Sequence, residues 1–261
     1  MKPSNSKTSF SIVIVAKDAA DKISRLLLSL EGLTDDVIVC DTGSTDDTIS
    51  IAQSHGAKVH RMPWEGYGKS KNVATGFSKY DWILSLDSDE RVDVTLHSAL
   101  QNWVPANAHT IYKVQWKNFF GDQWIRYSDW TSWKNRLFNK TMVNWDHEIA
   151  HEDLRSDQPI NYAKLPGYVD HFSFDDTRQY TTKMVHSAMI TAQKYHSRGK
   201  KVSLAKLVIL PFFGFFKTYF FKLGFLDGYK GWLIAVTTAY YSFIKYARLY
   251  ELNKQHSRTK K

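Results

Sequence analysis

The stretch Asp81–Arg91, "DWILSLDSDER", sets three acidic side chains directly after a run of apolar residues. The apolar part, Asp81–Leu86, has the length and composition of a buried strand. The acidic side chains that follow it are Asp87, Asp89 and Glu90. Like charges at the end of a strand repel one another unless a cation compensates them. The stretch therefore predicts a cation-binding site where this strand ends.

Three further apolar runs precede this strand. Phe10–Ala16, "FSIVIVA", and Asp36–Cys40, "DVIVC", are rich in valine and isoleucine, and residues 57–61, "AKVHR", form a shorter run. Continuous apolar runs of four to eight residues are typical of strands that are buried on both faces. We therefore predict four strands in the first hundred residues.

Helical patterns lie between these strands. Apolar residues at i, i+3, i+4 and i+7 fall on one helix face between Ile23 and Leu30. Ser44 and Asp47 have capping-box spacing, and Gly56 is a helix stop, so a second helix is predicted between them. A third helix is predicted at residues 69–79. Alternation of strands and helices predicts an α/β fold, a mostly parallel sheet flanked by helices.

The aspartates at the ends of two strands indicate where a ligand binds. Asp41 follows the second predicted strand and Asp87 the fourth. In open α/β sheets, ligands bind outside the carboxyl ends of the strands. An Asp-x-Asp turn offers hard oxygen ligands to Mg²⁺ or Mn²⁺, and these ions commonly also hold substrate phosphates. The sequence favours a metal site at Asp87 and Asp89 over a merely solvated acidic turn.

The remainder of the chain divides by composition. Residues 101–175 are rich in Trp, Asn and His and complete a mixed sheet, and residues 176–199 have a helical pattern. We predict a catalytic domain at 1–175, a connecting helix at 176–202 and a helical extension with a basic tail at 203–261.

The C-terminal extension contains two apolar runs, Leu207–Phe216 and Trp232–Ile244. Each is shorter than the roughly 20 residues that span a bilayer. Lysines and tyrosines alternate around them, which is typical of amphipathic helices that lie in a membrane interface. A helical hairpin that packs on the domain or on a second subunit is an equal alternative.

Charge is distributed unevenly along the chain. The net charge is +9, of which residues 1–100 carry −3 and residues 101–261 carry +12. A basic region of this size favours an anionic partner, either lipid or a phosphorylated acceptor. No zinc-finger or RNP-like pattern is present, so we predict no nucleic-acid partner. The N-terminal residues have no apolar core, so no signal peptide is expected.

A second enzyme class is suggested by "HEIAH", His147–His151, which matches the H-E-x-x-H motif of zinc metalloproteases. This motif would make His147 and His151 ligands and Glu148 the general base. It requires a helix, because the two imidazoles must converge on one metal. The flanking residues show no helical period, so the protease stays the weaker alternative.

The chain resembles the family 2 glycosyltransferases, which have the GT-A fold, over residues 10–251. The similarity extends into residues 203–251, which look like the C-terminal extension of the lipopolysaccharide-core subgroup; members of that subgroup add a hexose, often glucose, to an inner-core heptose. The motifs that carry the resemblance are "SIVIVAKDAADKISRLLLSL", "VIVCDTGSTDDT", "GYGKSKNVATGF", "DWILSLDSDER", "RLF" and "AHEDL".

The resemblance implies roles for individual residues. It implies that Glu152 is the catalytic base and that His151, beside it, orients the base or contacts the acceptor. It also implies that Asp89 is a direct metal ligand and that Asp87 holds either the metal or the ribose. Glu148 competes with Glu152 as the base. Glu148 and Arg136 would contact acceptor or diphosphate, and the residues implied in nucleotide binding are Lys17, Asp18, Asp41, Lys71 and Asp87.

The resemblance implies an inverting, metal-dependent hexosyltransferase. It would use a UDP-sugar, Mg²⁺ or Mn²⁺, and a lipopolysaccharide-core or glycolipid acceptor. The expected location is peripheral, on the cytoplasmic face of the bacterial inner membrane, with an oligomer possible through the C-terminal extension. A zinc metalloprotease and a non-enzymatic membrane-bound scaffold are the alternatives. The subgroup's Asn-Glu-Glu is replaced here by Asp18-Ala19-Ala20.

Overall fold

A computed structural model of the chain describes most of the sequence. The described residues are 9–128, 130, 132–146 and 153–259, with the backbone alone given at 256–259. They form two compact units. The first contains the described residues up to Trp116 and those of Ser132–His171, and the second contains those of Lys117–Thr131 and Phe172–Lys261.

The first unit is built on a mixed sheet with a parallel half and an antiparallel half. The sheet order is β3-β2-β1-β4-β8-β6-β11-β5, while β7 pairs with β6, and β9 and β10 form a separate ribbon. The strands are β1 (Ser11–Ala16), β2 (Val37–Asp41), β3 (Lys58–Arg61), β4 (Trp82–Asp87), β5 (Glu90–Val92), β6 (Thr110–Phe120), β7 (Gln123–Trp124), β8 (Ser132–Asn139), β9 (Asn144–Trp145), β10 (Leu154–Arg155) and β11 (Asn161–Phe174).

The parallel half brings two predicted site residues to one edge. Strand β1 pairs in parallel with β2 and with β4, and β2 pairs in parallel with β3. The register sets Ala16 opposite Asp41 and Val15 opposite Asp87. Because parallel strands share their carboxyl edge, both aspartates lie at the same rim, one strand apart.

Both faces of the parallel half are buried, as the apolar runs predicted. On β1, Ile12 and Ile14 belong to one core cluster and Val13 to the other. Side chains alternate between the faces of a strand, so each face needs its own cover. The helices of the first unit supply that cover: α1 (Ala20–Leu28), α2 (Thr48–Ser54), α3 (Tyr67–Gly76) and α4 (Val94–Gln101).

The four predicted strands and three predicted helices are confirmed, with one helix start misplaced. Helix α2 begins at Thr48 and not near Ser44. The Ser44 hydroxyl instead accepts a hydrogen bond from the Asp18 amide, 2.9 Å. Asp46 accepts from the Thr48 hydroxyl and from the Ala20 amide at the start of α1, which hold the pKa of Asp46 below its usual value. The capping-box prediction failed because these side chains tie two loops together.

The second unit is mainly helical. Its helices are α5 (Thr177–Ser197), α6 (Leu204–Phe216) and α7 (Gly228–Thr259), with a π-helical turn at Lys217–Phe221 and a 3₁₀ turn at Gly224–Asp227. Both α5 and α6 pack on α7. Helix α5 confirms the helix predicted at 176–199, and the Asp176 side chain caps it by accepting from the Gln179 amide. The domain boundaries predicted at 175 and 202 stay a prediction.

Helix α6 exposes a ridge of large apolar side chains. Leu204, Val208, Phe212 and Phe216 of α6, and Phe220 of the π-helical turn that follows it, recur at four-residue intervals and are 50–64% exposed. Residues four apart lie on the same helix face. The opposite face packs on α7, since a Cβ added at Gly214 would contact Ser242 and Thr238. One face of α6 is therefore packed on α7 and partly buried, while an apolar face is left open.

The helical stretch around α6 is longer than the apolar run suggested. Leu204–Phe221 is 18 residues long with a mean hydropathy of 1.5, so by length and composition it could cross a membrane. The expectation that this run is too short was wrong, because the helix extends through the π-helical turn. Length and composition alone do not distinguish a span from a helix lying at an interface.

Candidate functional site

The carboxylate of Asp87 at the end of β4 lies between two cations. Lys71 Nζ of α3 is 3.0 Å from Asp87 Oδ1, and Arg136 Nη2 of β8 is 2.7 Å from Asp87 Oδ2. Both cationic side chains are almost fully buried, whereas the Asp87 side chain is 34% exposed. The β4 rim thus presents a carboxylate whose charge the protein itself compensates.

Glu90 is the fourth member of the charged cluster formed with Asp87, Lys71 and Arg136. Its side chain is fully buried, pairs with Arg136, and accepts a hydrogen bond from the Asp87 amide at 2.9 Å. Burial raises the pKa of Glu90 because the charged form is desolvated, and the pairing with Arg136 only partly offsets this. Burial also works to raise the pKa of Asp87, but Lys71 and Arg136 outweigh it and hold that pKa far below its usual value.

Asp89 has a different environment from Asp87. Its side chain is 28% exposed, and its nearest described ion-pair partner is His171 of β11, with Nε2 3.5 Å from Oδ2. The His171 ring stacks on Trp116 of β6, with centroids 4.0 Å apart at an angle of 21°. Asp89 therefore keeps a solvent-facing oxygen beside an imidazole that an aromatic ring orients.

The sequence missed two members of this site. Glu90 was recognised only as part of an acidic run, and His171 was assigned no role in this site. Nothing local to Glu90 shows that it is buried, because β5, the strand that it begins, was not predicted and its partner Arg136 lies on β8. No local signal marks His171, because its meeting with Asp89 depends on the pairing of β11 with β5.

The residues fit a divalent cation that is shared with a substrate. Among the residues that the structure describes, no group of three or more His, Cys, Asp or Glu side chains is arranged to hold a metal ion. Mg²⁺ is usually bound by one or two carboxylates together with substrate phosphates, so such a group is not required. Asp89 would supply an oxygen donor to such an ion, and His171 Nε2 lies 3.5 Å from the same carboxylate.

A cavity lies at the carboxyl ends of β2 and β3. Its volume is about 490 Å³, and its lining includes Asp41, Thr42, Gly43, Ser44 and Arg61. Asp41 is buried, and its oxygens accept hydrogen bonds from the backbone amides of Gly43 and Ser44 at 3.1 Å. These bonds fix the carboxylate in the floor of the cavity.

The turn between β1 and α1 is hydrogen-bonded to the loop that follows β2. Asp18 has a positive φ of 45°, and its Oδ1 accepts a hydrogen bond from the Thr45 amide at 2.8 Å. The Ala19 amide donates to the Thr48 hydroxyl at 2.7 Å. Lys17 is exposed on the same turn. The structure thus clamps Asp18 to the loop that carries Asp41, although its role in nucleotide binding stays a prediction.

Residues 147–152, with the predicted Glu148, His151 and Glu152, lie outside the described residues. The chain on either side is well fixed. The Asp146 amide donates to the Asp153 carbonyl at 2.9 Å, and Asn72 of α3 bonds the Trp145 backbone through both ends of its amide. A Cβ at Gly68 would overlap the Asp146 carbonyl, so only glycine allows α3 to approach this closely.

Arg136 has a structural position that the sequence did not indicate. Its side chain is 4% exposed and its described charged partners are Asp87 and Glu90. Its predicted contact with acceptor or diphosphate stays a prediction. What the structure establishes is that Arg136 pairs with the carboxylates of Asp87 and Glu90.

Mixed sheets of this order, with carboxylates along the carboxyl edge of their parallel half, are the architecture of the GT-A glycosyltransferases. The chain is a glycosyltransferase of this class. It belongs to glycosyl transferase family 2, whose family model matches residues 11–160. This membership decides against the metalloprotease and the non-enzymatic scaffold.

Several known proteins are similar to the chain. An uncharacterized glycosyltransferase of Rickettsia typhi is 28% identical over 93% of this chain and 87% of that protein. The lipopolysaccharide core biosynthesis glycosyltransferase LpsC of Rhizobium meliloti is 25% identical over 94% of this chain and 93% of that protein.

A solved structure also matches, over a smaller part of the chain. It is glucosyl-3-phosphoglycerate synthase from Mycobacterium tuberculosis in complex with Mn²⁺, UDP and glucosyl-3-phosphoglycerate. It is 25% identical over 44% of each chain, with a TM-score of 0.34. A likeness of this extent carries no argument about the ligands of the present protein.

Proposed function

We propose that the protein transfers a hexose, with glucose the first candidate, from a UDP-sugar to a hydroxyl of a lipopolysaccharide inner-core sugar or a related glycolipid. The observation that carries this proposal is the shared edge of β2 and β4, where Asp41 lines an open cavity and Asp89 lies apart from the buried ion pairs. The similarity to LpsC along nearly the whole chain supports the choice of acceptor.

The donor would bind across this edge. The cavity at Asp41 is large enough for a nucleobase and its ribose, and Asp87 faces the same rim one strand away. Lys71 and Arg136 keep Asp87 ionised, so it can accept hydrogen bonds from ribose hydroxyls. The diphosphate would then extend towards Asp89.

A divalent cation, Mg²⁺ or Mn²⁺, would be held by Asp89 with His171 alongside it. When bound, such an ion supplies Lewis-acid stabilisation of the negative charge that develops on the diphosphate leaving group. Asp89 would orient the diphosphate through this site. Trp116 would keep the His171 ring in the plane that faces Asp89.

The acceptor hydroxyl must lose a proton as it attacks the anomeric carbon. A carboxylate within hydrogen-bond reach can take that proton. We assign this role to Glu152, with His151 as the residue that orients the base or the acceptor and Glu148 as the alternative base. Direct in-line attack inverts the anomeric configuration, so an α-linked donor gives a β-linked product.

Replacement of Asp89 by asparagine is expected to abolish metal-dependent binding of UDP while the fold is retained. Loss of residues that merely support a metal ligand commonly costs about 10–100-fold in metal affinity, so loss of the ligand itself is expected to exceed this range. The measurement is the thermal shift that UDP produces with Mn²⁺ or Mg²⁺ present. UDP-glucose in the same assay with the wild-type protein tests the proposed donor.

Asp81→Asn is the matched control for this experiment. It makes the same charge change immediately before β4, at the amino end of the strand, where the side chain is exposed. It should leave the UDP shift and the transfer rate unchanged. Transfer at the wild-type rate by Asp89→Asn would contradict the metal site, and activity with Zn²⁺ but not with Mg²⁺ or Mn²⁺ would contradict the choice of metal.

We further propose that the protein lies peripherally on an anionic membrane surface, the cytoplasmic face of a bacterial inner membrane. The support is the apolar ridge of α6, which is flanked by the exposed residues Lys206 and Lys217. A helix with one packed face and one apolar face bordered by lysines suits an interfacial position, where the aromatic rings enter the acyl boundary and the ammonium groups meet headgroups. An interface with a second copy of the chain is the alternative.

The double variant Phe212→Glu, Phe216→Glu is expected to release the protein from liposomes that contain anionic lipid, whereas the wild-type protein should sediment with them. Two carboxylates on the ridge oppose insertion and repel the headgroups. High salt should weaken wild-type binding only in part, because each lysine near the surface contributes about 1 kcal/mol and the apolar contact remains.

Val94→Glu is the control, since Val94 is an apolar side chain of the first unit that is 84% exposed. This variant should sediment as the wild-type protein does. The ridge would instead be an oligomer interface if the wild-type protein self-associates without binding anionic liposomes and the double variant does not self-associate.

A further inference from the structure

An unassigned surface of the first unit combines exposed aromatic rings with lysines. Trp133 of β8 is 39% exposed and Tyr162 of β11 is 54% exposed. Lys164 Nζ lies 4.4 Å from the Trp133 ring centroid, and Lys113 Nζ lies 4.0 Å from that of Tyr162. These four residues are called the aromatic–lysine face below.

Strand pairing sets these residues on one side of the sheet. On β6, Tyr112 and Val114 enter the core cluster, so Lys113 between them lies on the opposite side. The register pairs Gln115 of β6 with Trp133 of β8. On β11, Leu165 and Val169 enter the same core, which leaves Tyr162 and Lys164 on the outer side with Lys113.

This surface differs from an ordinary solvated sheet face. Such faces pair lysines with carboxylates across strands. Among the described residues, no carboxylate lies within ion-pair distance of Lys113 or Lys164, and their ammonium groups rest on ring faces instead. On this face, each of the two amphipathic rings lies beside a lysine that has no described carboxylate within ion-pair distance. Such an arrangement is complementary to an anionic ligand with apolar C–H faces.

The aromatic–lysine face lies close to Asp153, the first described residue after the segment 147–152. Asn135 of β8 pairs with Lys113 in the sheet register, so it lies on the same side. Its Nδ2 donates a hydrogen bond to Asp153 Oδ1 at 2.7 Å. Asp153 directly follows residues 147–152, to which the acceptor base has been assigned. A ligand on this face is therefore close to Asn135 and Asp153.

We propose that the aromatic–lysine face binds the sugar acceptor, and that this acceptor carries a phosphate or carboxylate close to the sugar that is glycosylated. Trp133 and Tyr162 contact the C–H faces of sugar rings, and Lys113 and Lys164 turn from the rings to pair with the anionic group. This inference rests on the proposed transfer reaction and adds the acceptor's charge and its binding residues.

The test measures binding of a defined oligosaccharide by isothermal titration calorimetry. The probe is deacylated lipopolysaccharide core oligosaccharide, compared with the same material after chemical removal of its phosphates. The variants are Trp133→Leu and the double variant Lys113→Gln, Lys164→Gln. The matched control is Lys200→Gln, which removes a lysine that lies 4.0 Å from the Tyr195 ring in the second unit.

The lysine double variant is expected to weaken binding of the phosphorylated probe at least tenfold, since loss of a single hydrogen bond to a charged group has about this effect. Trp133→Leu is also expected to weaken binding severalfold, because the aromatic surface that contacts the sugar is lost. The Lys200→Gln control should bind the probe as the wild type does. The lysine variant should bind the dephosphorylated probe no more weakly than the wild type does. UDP binding should be unchanged in every variant, because none of these residues lines the cavity at Asp41.

Wild-type affinity for the phosphorylated probe in both variants would overturn the inference, and so would tight wild-type binding of a single-stranded oligonucleotide in place of the sugar. Failure of the proposed donor reaction is distinguishable from either result. It would appear as an absence of UDP and UDP-sugar binding in the wild-type protein, whatever the outcome with the oligosaccharide.

Discussion

Replacement of Arg136 by methionine is expected to destabilise the protein by about 3–5 kcal/mol, the usual cost of removing one partner from a buried ion pair. Arg136 is 3% exposed and is the described cation that pairs with Glu90, whose side chain is fully buried. Without it, Glu90 must either stay charged in an apolar environment or take up a proton. Asp87 is affected less, since Lys71 still pairs with it.

The measurement is the free energy of unfolding from urea denaturation of the full chain. Arg248→Met is the matched control, because its pair with Glu251 lies on the surface of α7 and exposed pairs contribute about 0–1 kcal/mol. The double variant Arg136→Met, Glu90→Met should recover much of the loss, since no buried charge is then left without a partner. A single variant as stable as the wild type would show that Arg136 does not neutralise Glu90.

Replacement of Glu152 by glutamine is expected to lower the transfer rate by about 10²–10⁴-fold, the usual contribution of a general base. Glutamine keeps the size of the side chain but cannot accept the proton. The thermal shift produced by UDP should survive, because the cavity proposed to bind the nucleotide is lined by residues at the ends of β2 and β3 and not by Glu152.

Glu148→Gln supplies the internal comparison and should have the milder effect. Both variants remove one carboxylate from the same segment, so a difference between them reports the identity of the base. The reverse order, with Glu148→Gln the more damaging, would move the base assignment to Glu148. Equal, small losses in both would contradict a base in residues 147–152.

The sequence alone determined the parallel half of the fold. Strands β1, β2 and β4 are continuous apolar runs, and a run of this kind is stable only between two covering layers. The amphipathic spacing of Ile23, Leu26 and Leu27 supplied part of one such layer, and these side chains are buried in α1. Because these signals are local, the sequence alone places the aspartates that end the strands at one edge of the sheet.

Only the tertiary structure decided which charges meet at that edge. Arg136 reaches Asp87 across 49 positions in the sequence, and Lys71 approaches from α3 on one side of the sheet. His171 lies beside Asp89 because β11 pairs antiparallel with β5. Ion pairs between distant segments depend on strand order and register, and no local pattern of residues encodes either. The acidic run predicted a metal site at Asp87 and Asp89, which stays a prediction. The fold determined that Lys71 and Arg136 pair with Asp87, that Arg136 also pairs with Glu90, and that Asp89 lies beside His171.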